Sequence, residues 1–82
     1  MPSRRYKPVV RTNRNSIGKT VAKLRRAQDL TQEGLAGRCQ IAGWPVSRDA
    51  IKRVESGERE VTDIELRWLA AALRVPPAVV LD

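Results

Sequence analysis

Apolar residues recur at intervals of three and four along most of this chain, and this spacing limits what it can fold into. Gly, Pro and capping residues interrupt the repeats, ending one helix and beginning the next. No segment alternates apolar and polar residues as a half-buried strand does. The sequence therefore predicts an all-α fold, a compact bundle of four or five helices over residues 16–82, preceded by an extended, flexible basic arm at 1–15.

Caps and apolar stripes place the first two helices. Asn15 or Ser16 can cap the first helix, whose apolar side is Ile17, Val21 and Leu24. Lys19, Lys23 and Arg26 then lie mainly on the solvent side. Thr31 is the expected N-cap of the second helix, whose inner stripe is Leu35, Ala36, Cys39 and Ala42. Gly43, Trp44 and Pro45 break the chain after it.

Similar signals place the rest of the domain. Ser47 is expected to cap a third helix that runs to about Glu55 and is stopped by Ser56 and Gly57. Thr62 and Glu65 form a capping box for a fourth helix, with the stripe Leu66, Leu69, Ala70 and Leu73. Pro76 and Pro77 limit the end to a short turn, whose apolar residues can close the core: Val79, Val80 and Leu81.

Positive charge is concentrated in the first third of the chain. The formal net charge is +7, from 16 Lys and Arg against nine Asp and Glu. Residues 1–26 hold nine of the basic residues and none of the acidic ones. This segregation indicates an anionic partner. Nucleic acid is favoured over an acidic membrane, because residues 1–15 have no wide apolar face.

Composition argues against several other functions. With no histidine and one cysteine, Cys39, the chain lacks a zinc-finger ligand set, an internal disulfide and histidine acid–base chemistry. Gly18-Lys19-Thr20 resembles the end of a phosphate-binding loop but lacks its earlier glycine and its preceding strand. The chain shows neither a transmembrane stretch nor a secretory signal. We therefore expect a cytoplasmic protein that is not an enzyme and uses no metal or cofactor.

The predicted third helix has two distinct faces. At about 100° per residue, Ala50, Ile51 and Val54 fall on one side, and the charged residues Arg48, Asp49, Lys52 and Arg53 fall on the other. The apolar side must pack, so the charged side faces outward. A charged outer face that follows a short break after another helix is typical of the helix–turn–helix, whose second helix enters the major groove of DNA.

A series of short motifs extends this likeness over about residues 16–81. The motifs are Ile17-Gly18, Leu24-Arg25, Leu30-Thr31-Gln32-Glu33, Leu35-Ala36, Val46-Ser47-Arg48, Ile51 and Glu55-Ser56-Gly57. Together they resemble the Xre family of transcriptional regulators, the lambda and 434 phage repressor and Cro type. The resemblance implies a five-helix domain that binds operator DNA, usually as a two-fold dimer. Between Gln32 and Glu55 this chain is about five residues longer than the family pattern, which predicts a longer second helix and a turn containing Gly43, Trp44 and Pro45.

The resemblance also implies roles for individual residues. Gln32 and Ser47 fall on phosphate-binding positions, and Arg25 and Glu55 match a salt bridge between helices one and three. The family's base-reading positions are occupied by Arg48, Asp49 and Arg53.

Side-chain chemistry adds to these roles. Arg48 and Arg53 can each donate two hydrogen bonds to guanine, while Asp49 can accept from cytosine or hold one of these arginines in position. Lys52 and Arg59 suit phosphate contacts. The arm can meet the DNA backbone or the minor groove through Arg4, Arg5, Lys7 and Arg11.

The resulting hypothesis is a sequence-specific transcriptional regulator, a repressor that reads double-stranded DNA with helix 47–55 as a bacterial or phage homodimer. Two alternatives stay open. One is a nonspecific nucleic-acid- or RNA-binding protein driven by the arm, and the other is a protein-interaction module such as an antitoxin or anti-repressor. Trp44 is expected to cover the end of the core, whereas Ile64 and Trp68 either cover the core or form a subunit interface.

Overall fold

Five helices make up residues 14–81, the part of the chain that the computed structural model describes. They are α1 (Arg14–Ala27), α2 (Gln32–Ala42), α3 (Arg48–Ser56), α4 (Asp63–Leu73) and α5 (Pro77–Leu81). These residues include no strand, and the predicted all-α fold is confirmed. None of the described helices is both long and apolar enough to cross a membrane.

The start of α1 differs from the prediction. Asn15 and Ser16, predicted as alternative caps, lie inside α1, which already includes Arg14. Local capping signals define a helix end only to within one or two residues. Residues 1–13, which form most of the predicted arm, lie outside the described residues.

Side-chain caps begin α2, α3 and α4 at the predicted residues. Thr31 caps α2, and Ser47 caps α3. Thr62 caps α4 in a complete capping box: the Glu65 amide donates to Thr62 Oγ1 at 3.2 Å, and the Thr62 amide donates to Glu65 Oε1 at 3.1 Å. Because each cap satisfies amides that the helix leaves unpaired, these starts are encoded locally.

The core is built from one face of each helix. Its fully buried side chains include Ile17 and Val21 of α1, Leu35 and Cys39 of α2, Ile51 and Val54 of α3, Leu69 and Leu73 of α4, and Val80 of α5. Two parts of the predicted core are wrong. Ala42 is exposed, because Trp44 and Val46 fold back over the end of the core just beyond it. In α5, Val79 and Leu81 are exposed, because only one face of so short a helix, the face with Val80, can reach the core.

The connection between α2 and α3 accommodates the extra residues. As predicted, α2 continues to Ala42, and Gly43 ends it in the left-handed conformation with φ of 118°. The Trp44 amide then donates to the Cys39 carbonyl at 2.9 Å, which turns the chain back. Gln40 Nε2 donates to the Val46 carbonyl at 2.9 Å and ties the turn to α2. The longer connection is therefore an ordered turn that leads directly into α3.

Candidate nucleic-acid interface

The α3 helix presents a charged face outward while its apolar face is buried. Ile51 and Val54 are buried in the core, and the helix packs against both α1 and α2. On the opposite side Arg48, Asp49, Lys52 and Arg53 are all exposed. The structure thus brings the base-reading candidates and Lys52 onto one accessible surface.

A close backbone approach at Gly18 positions α3 against α1. A Cβ atom at this position would overlap the carbonyl oxygen of Val54 and lie 2.7 Å from that of Glu55. Glycine is therefore required where the two helices meet. The sequence analysis placed Gly18 in the Ile17-Gly18 motif of the family resemblance and in a failed phosphate-loop match, but it did not predict this close helix packing.

An ion pair joins the same two helices. Arg25 Nε donates to Glu55 Oε2 at 2.7 Å, and Arg25 Nη2 donates to Glu55 Oε1 at 3.1 Å. Arg25 Nη1 also donates to the Leu30 carbonyl at 2.7 Å, and both charged side chains are largely buried, at 11% and 7% exposure. The hydrogen bond to Glu55 raises the pKa of the Arg25 guanidinium. This bidentate pair fixes the C-terminal half of α3 relative to α1.

Gln32, the predicted phosphate ligand at the start of α2, makes an internal contact. Its Nε2 donates to Glu55 Oε1 at 3.0 Å. The amide has a second N–H, which stays available to a phosphate oxygen. Gln32 thus links α2 to the Arg25–Glu55 pair, so that hydrogen bonds to Glu55 join α1, α2 and α3.

Arg59, also predicted to bind phosphate, is half-buried, with its side chain 35% exposed. Its Nη2 donates to Glu65 Oε2 at 2.9 Å, and its guanidinium lies 5.4 Å from the centre of the Trp44 ring. Trp44 in turn stacks on the half-buried Trp68, with ring centres 5.9 Å apart. These contacts let Arg59 help hold the α2–α3 turn against α4. One of its N–H groups is used in this way, and its predicted phosphate contact stays a prediction.

The remaining site residues differ in how they are held. Ser47 uses its hydroxyl oxygen to cap α3, accepting from the Ala50 amide at 3.2 Å, and its O–H can still donate. Arg48 Nη2 lies 3.7 Å from Asp49 Oδ1, with both side chains well exposed. Such a pair is weak, so both groups are free to meet a ligand. The arm residues Arg4, Arg5, Lys7 and Arg11 lie outside the described residues.

A capped helix with a charged outer face, held across an ordered turn by the preceding helix, defines a helix–turn–helix DNA-binding protein. A family model described as "Helix-turn-helix domain" matches residues 16–81, and the chain belongs to this family. Among solved structures, the restriction-modification controller protein C.AhdI from Aeromonas hydrophila is similar to it. The two chains are 30% identical with a TM-score of 0.73, over 82% of this chain and 94% of that one.

These similarities confirm the resemblance to the Xre family and identify the chain as a DNA-binding transcriptional regulator. No match was found among curated proteins.

Proposed function

We propose that this protein is a sequence-specific repressor that reads operator DNA in the major groove with the outer face of α3. The observation that carries the proposal is the sorting of α3, with Ile51 and Val54 buried and the arginines outside. The Arg53 side chain has no hydrogen-bond or ion-pair partner among the described side chains of residues 16–81. An arginine held on a rigid helix with free donors suits bidentate recognition of guanine.

Each further residue has a role in this proposal. Arg48 and Arg53 contact base edges, and Asp49 either accepts from a cytosine amino group or orients Arg48, which lies beside it. Ser47, Lys52 and the second N–H of Gln32 contact phosphates, which set register but carry no sequence information. The arm adds further backbone contacts. Repression follows when the bound protein covers a promoter and excludes RNA polymerase.

The proposal includes a homodimer that acts on DNA in the cytoplasm. Exposed apolar side chains on α4 and α5 support self-association: Ile64 is 50% exposed, Val79 37% and Leu81 38%. A two-fold dimer would place two α3 helices in successive major grooves on one side of the duplex. The similar structure is described as a restriction-modification controller protein, which agrees with a regulatory role for this chain.

A selection from randomised duplexes tests the proposal. It is run at about 150 mM salt, where nonspecific binding is weak, with the wild-type chain, Arg48→Ala/Arg53→Ala and the control Arg67→Ala. Arg67 is an exposed arginine on α4, away from the α3 face. We expect a two-fold site with half-sites about one helical turn apart from the wild type and the control, and no such site from the double variant.

Two other outcomes would overturn it. Salt-sensitive binding with no motif and no effect of the double substitution would mean that only phosphates are read, as in a nonspecific or RNA-binding protein. Absence of DNA binding, together with a protein partner that Arg48→Glu/Arg53→Glu still binds at high salt, would identify a protein-interaction module.

A further inference from the structure

An open groove lies between the C-terminal ends of α2 and α4, and we call it the α2–α4 groove. Its volume is about 190 Å³. Its lining residues are Arg38, Ile41 and Ala42 of α2, Ala71 and Ala72 of α4, and Arg74, which follows α4. Ile41 is 89% exposed, more than the other large apolar side chains on the described surface. Together with Ala42 and Ala71, which are also exposed, it gives the groove an apolar surface.

Two arginines border this apolar surface, and the described lining includes no carboxylate. Arg38 Nη1 donates to Gln28 Oε1 at 3.0 Å and to the Ala72 carbonyl at 3.2 Å, which fixes the guanidinium against α4. Its Nε and Nη2 donate to no group in the described part of the chain, and the Arg74 side chain has no partner there. Arginine beside exposed apolar groups is typical of protein-binding surfaces, and the uncompensated charge favours an acidic partner.

Arg74 has a backbone conformation that favours glycine. It ends α4 in the left-handed region with φ of 60°, where a Cβ atom is unfavourable. The ends of α2 and α3 use glycine for the same conformation, at Gly43 and Gly57. A glycine would therefore end α4 with less strain. An arginine in its place points to a function of the side chain, because residues held in such conformations cluster at binding sites.

We propose that the α2–α4 groove docks an acidic segment of a partner protein. Carboxylates of the segment pair with Arg38 and Arg74, and an aliphatic side chain of the segment packs against Ile41 and the two exposed alanines. A protein suits this surface better than nucleic acid does, since a polar sugar–phosphate backbone would leave Ile41 without an apolar contact.

DNA bound at α3 leaves the groove open. The described lining includes no residue of α3, and Ile41 lies about 180° around α2 from Gln32, a proposed phosphate ligand. The partner and DNA can therefore be held at the same time. Because the groove is separate from α3, the inference does not depend on the proposed reading of an operator.

The test measures binding of a short synthetic helical peptide that carries Glu and Leu on one face. Wild-type protein is compared with Arg74→Gly, Ile41→Ala and the matched control Arg67→Ala, which removes an exposed cation of α4 that does not line the groove. Arg74→Gly and Arg67→Ala lower the net charge equally, so general attraction to a basic protein changes equally in both. At about 150 mM salt, we expect the dissociation constant to rise about fivefold or more for Arg74→Gly and Ile41→Ala, and less than about twofold for Arg67→Ala.

Urea unfolding separates this role from a structural one. Arg74→Gly should be at least as stable as the wild type, because glycine adopts the left-handed conformation without strain, so its loss of peptide binding cannot come from unfolding. Lower stability with unchanged peptide binding would mean that Arg74 only complements the partial negative charge of the helix end, and it would overturn the proposal.

Two probe peptides test the chemistry of the partner. A peptide with Ser in place of Leu and one with Gln in place of Glu should both bind more weakly than the parent. Equal binding of the Leu-free peptide, equal losses for Arg74→Gly and Arg67→Ala, or no saturable binding of the parent peptide would each overturn the proposal.

Nuclear magnetic resonance locates the peptide and identifies other occupants. The peptide should shift the amide signals of Ala42 and Ala71 but not those of α3, and a saturating DNA duplex should not displace it. Displacement by the duplex, with a lower salt slope of DNA binding for Arg74→Gly, would identify nucleic acid as the occupant instead. A change of oligomeric state in Ile41→Ala, seen by sedimentation without peptide binding to the wild type, would identify a second copy of the chain. Either result overturns the proposal.

Discussion

At Gly18 the missing side chain determines how closely α1 can approach α3. The carbonyl groups of Val54 and Glu55 occupy the space that a Cβ would need, and backbone cannot move aside as a flexible side chain can. Since Glu55 also belongs to the ion pair with Arg25, a larger side chain at residue 18 would displace both the end of α3 and this ion pair.

We predict opposite effects of alanine at two helical glycines. Gly18→Ala should destabilise the protein by about 1–3 kcal/mol, because overpacking outweighs the better helix propensity of alanine. Gly37→Ala in α2 should stabilise it by about 0.5–1 kcal/mol, because nothing lies within 4 Å of the added Cβ. Urea unfolding followed by tryptophan fluorescence measures both free energies, and a stabilising Gly18→Ala would contradict the packing described for α1 and α3.

Cys39 should be unreactive in the folded protein. Its side chain is fully buried in the core, and burial raises the pKa of its thiol to about 11. At pH 8 a thiol reagent such as DTNB should label the native protein far more slowly than the urea-unfolded protein, since the thiolate is the reacting species. Rapid labelling of the native state would contradict the burial of Cys39.

The same shift predicts a pH dependence of stability. Between the ordinary thiol pKa, about 8.5, and the folded value of about 11, only the unfolded chain ionises at Cys39. Its contribution is therefore complete below the unfolded pKa and is lost as pH rises through the folded one. The free energy of unfolding should fall more steeply above pH ~9 in the wild type than in Cys39→Ala. Comparing the two proteins cancels the contribution of all other titrating groups. Parallel slopes would contradict the prediction.

Among the elements, α3 owes its position to contacts at both of its ends. At its N-terminal end the α2–α3 turn is packed by the Trp44–Trp68 stack and by Arg59, which pairs with Glu65. At its C-terminal end Glu55 is bound to Arg25. Because both ends are held, the longer connection does not leave α3 free to tilt.

We predict that breaking the Arg25–Glu55 ion pair at the C-terminal end of α3 strongly destabilises the protein. Glu55→Ala should lower the free energy of unfolding by about 3 kcal/mol, since it leaves the guanidinium of Arg25 largely buried without its carboxylate. Arg67→Ala, which removes an exposed i,i+4 pair with Asp63, should change it by less than about 0.5 kcal/mol. Denaturant titrations of the two variants measure both changes in the free energy of unfolding. Similar changes for both would mean that the Arg25–Glu55 pair adds little to stability.

For the whole molecule, positive charge is concentrated in the arm and in α1. The basic excess lies in residues 1–26, whereas residues 27–82 are slightly acidic. Within the folded part, Lys19 and Arg26 of α1 and Lys52 of α3 line one open groove between the two helices. A basic first segment joined to an outward-facing α3 is suited to a partner that is both anionic and patterned, as operator DNA is.

Deleting residues 1–13 tests how much the arm and the folded domain each contribute to DNA binding. We predict that the truncated protein selects the same motif but binds more weakly, with a salt slope reduced by between about one and about four. The upper limit corresponds to the four cations that are lost, Arg4, Arg5, Lys7 and Arg11. Complete loss of binding at low salt would instead favour the arm-driven, nonspecific alternative, and an unchanged slope would show that the arm does not touch DNA.

Local signals in the sequence suffice for the helices, most of their ends and most of the core. Caps at Thr31, Ser47 and Thr62 each act on an amide three residues away, and the stop at Gly57 depends on its own backbone conformation, with φ of 83°. Apolar spacing likewise reports which face of a helix is buried. The outward charge of α3 could be predicted for this reason.

Which polar side chains are free to bind depended on distances between helices, and no local pattern encodes those. Gln32 and Arg59 are both predicted phosphate ligands, and the fold also puts each beside a carboxylate, Glu55 and Glu65, which takes one donor of each side chain. The requirement for glycine at position 18 arises only where α1 meets carbonyls more than thirty positions away. Packing brings these groups within 3 Å or so of one another, and at that range hydrogen bonds and overlap decide what each residue does.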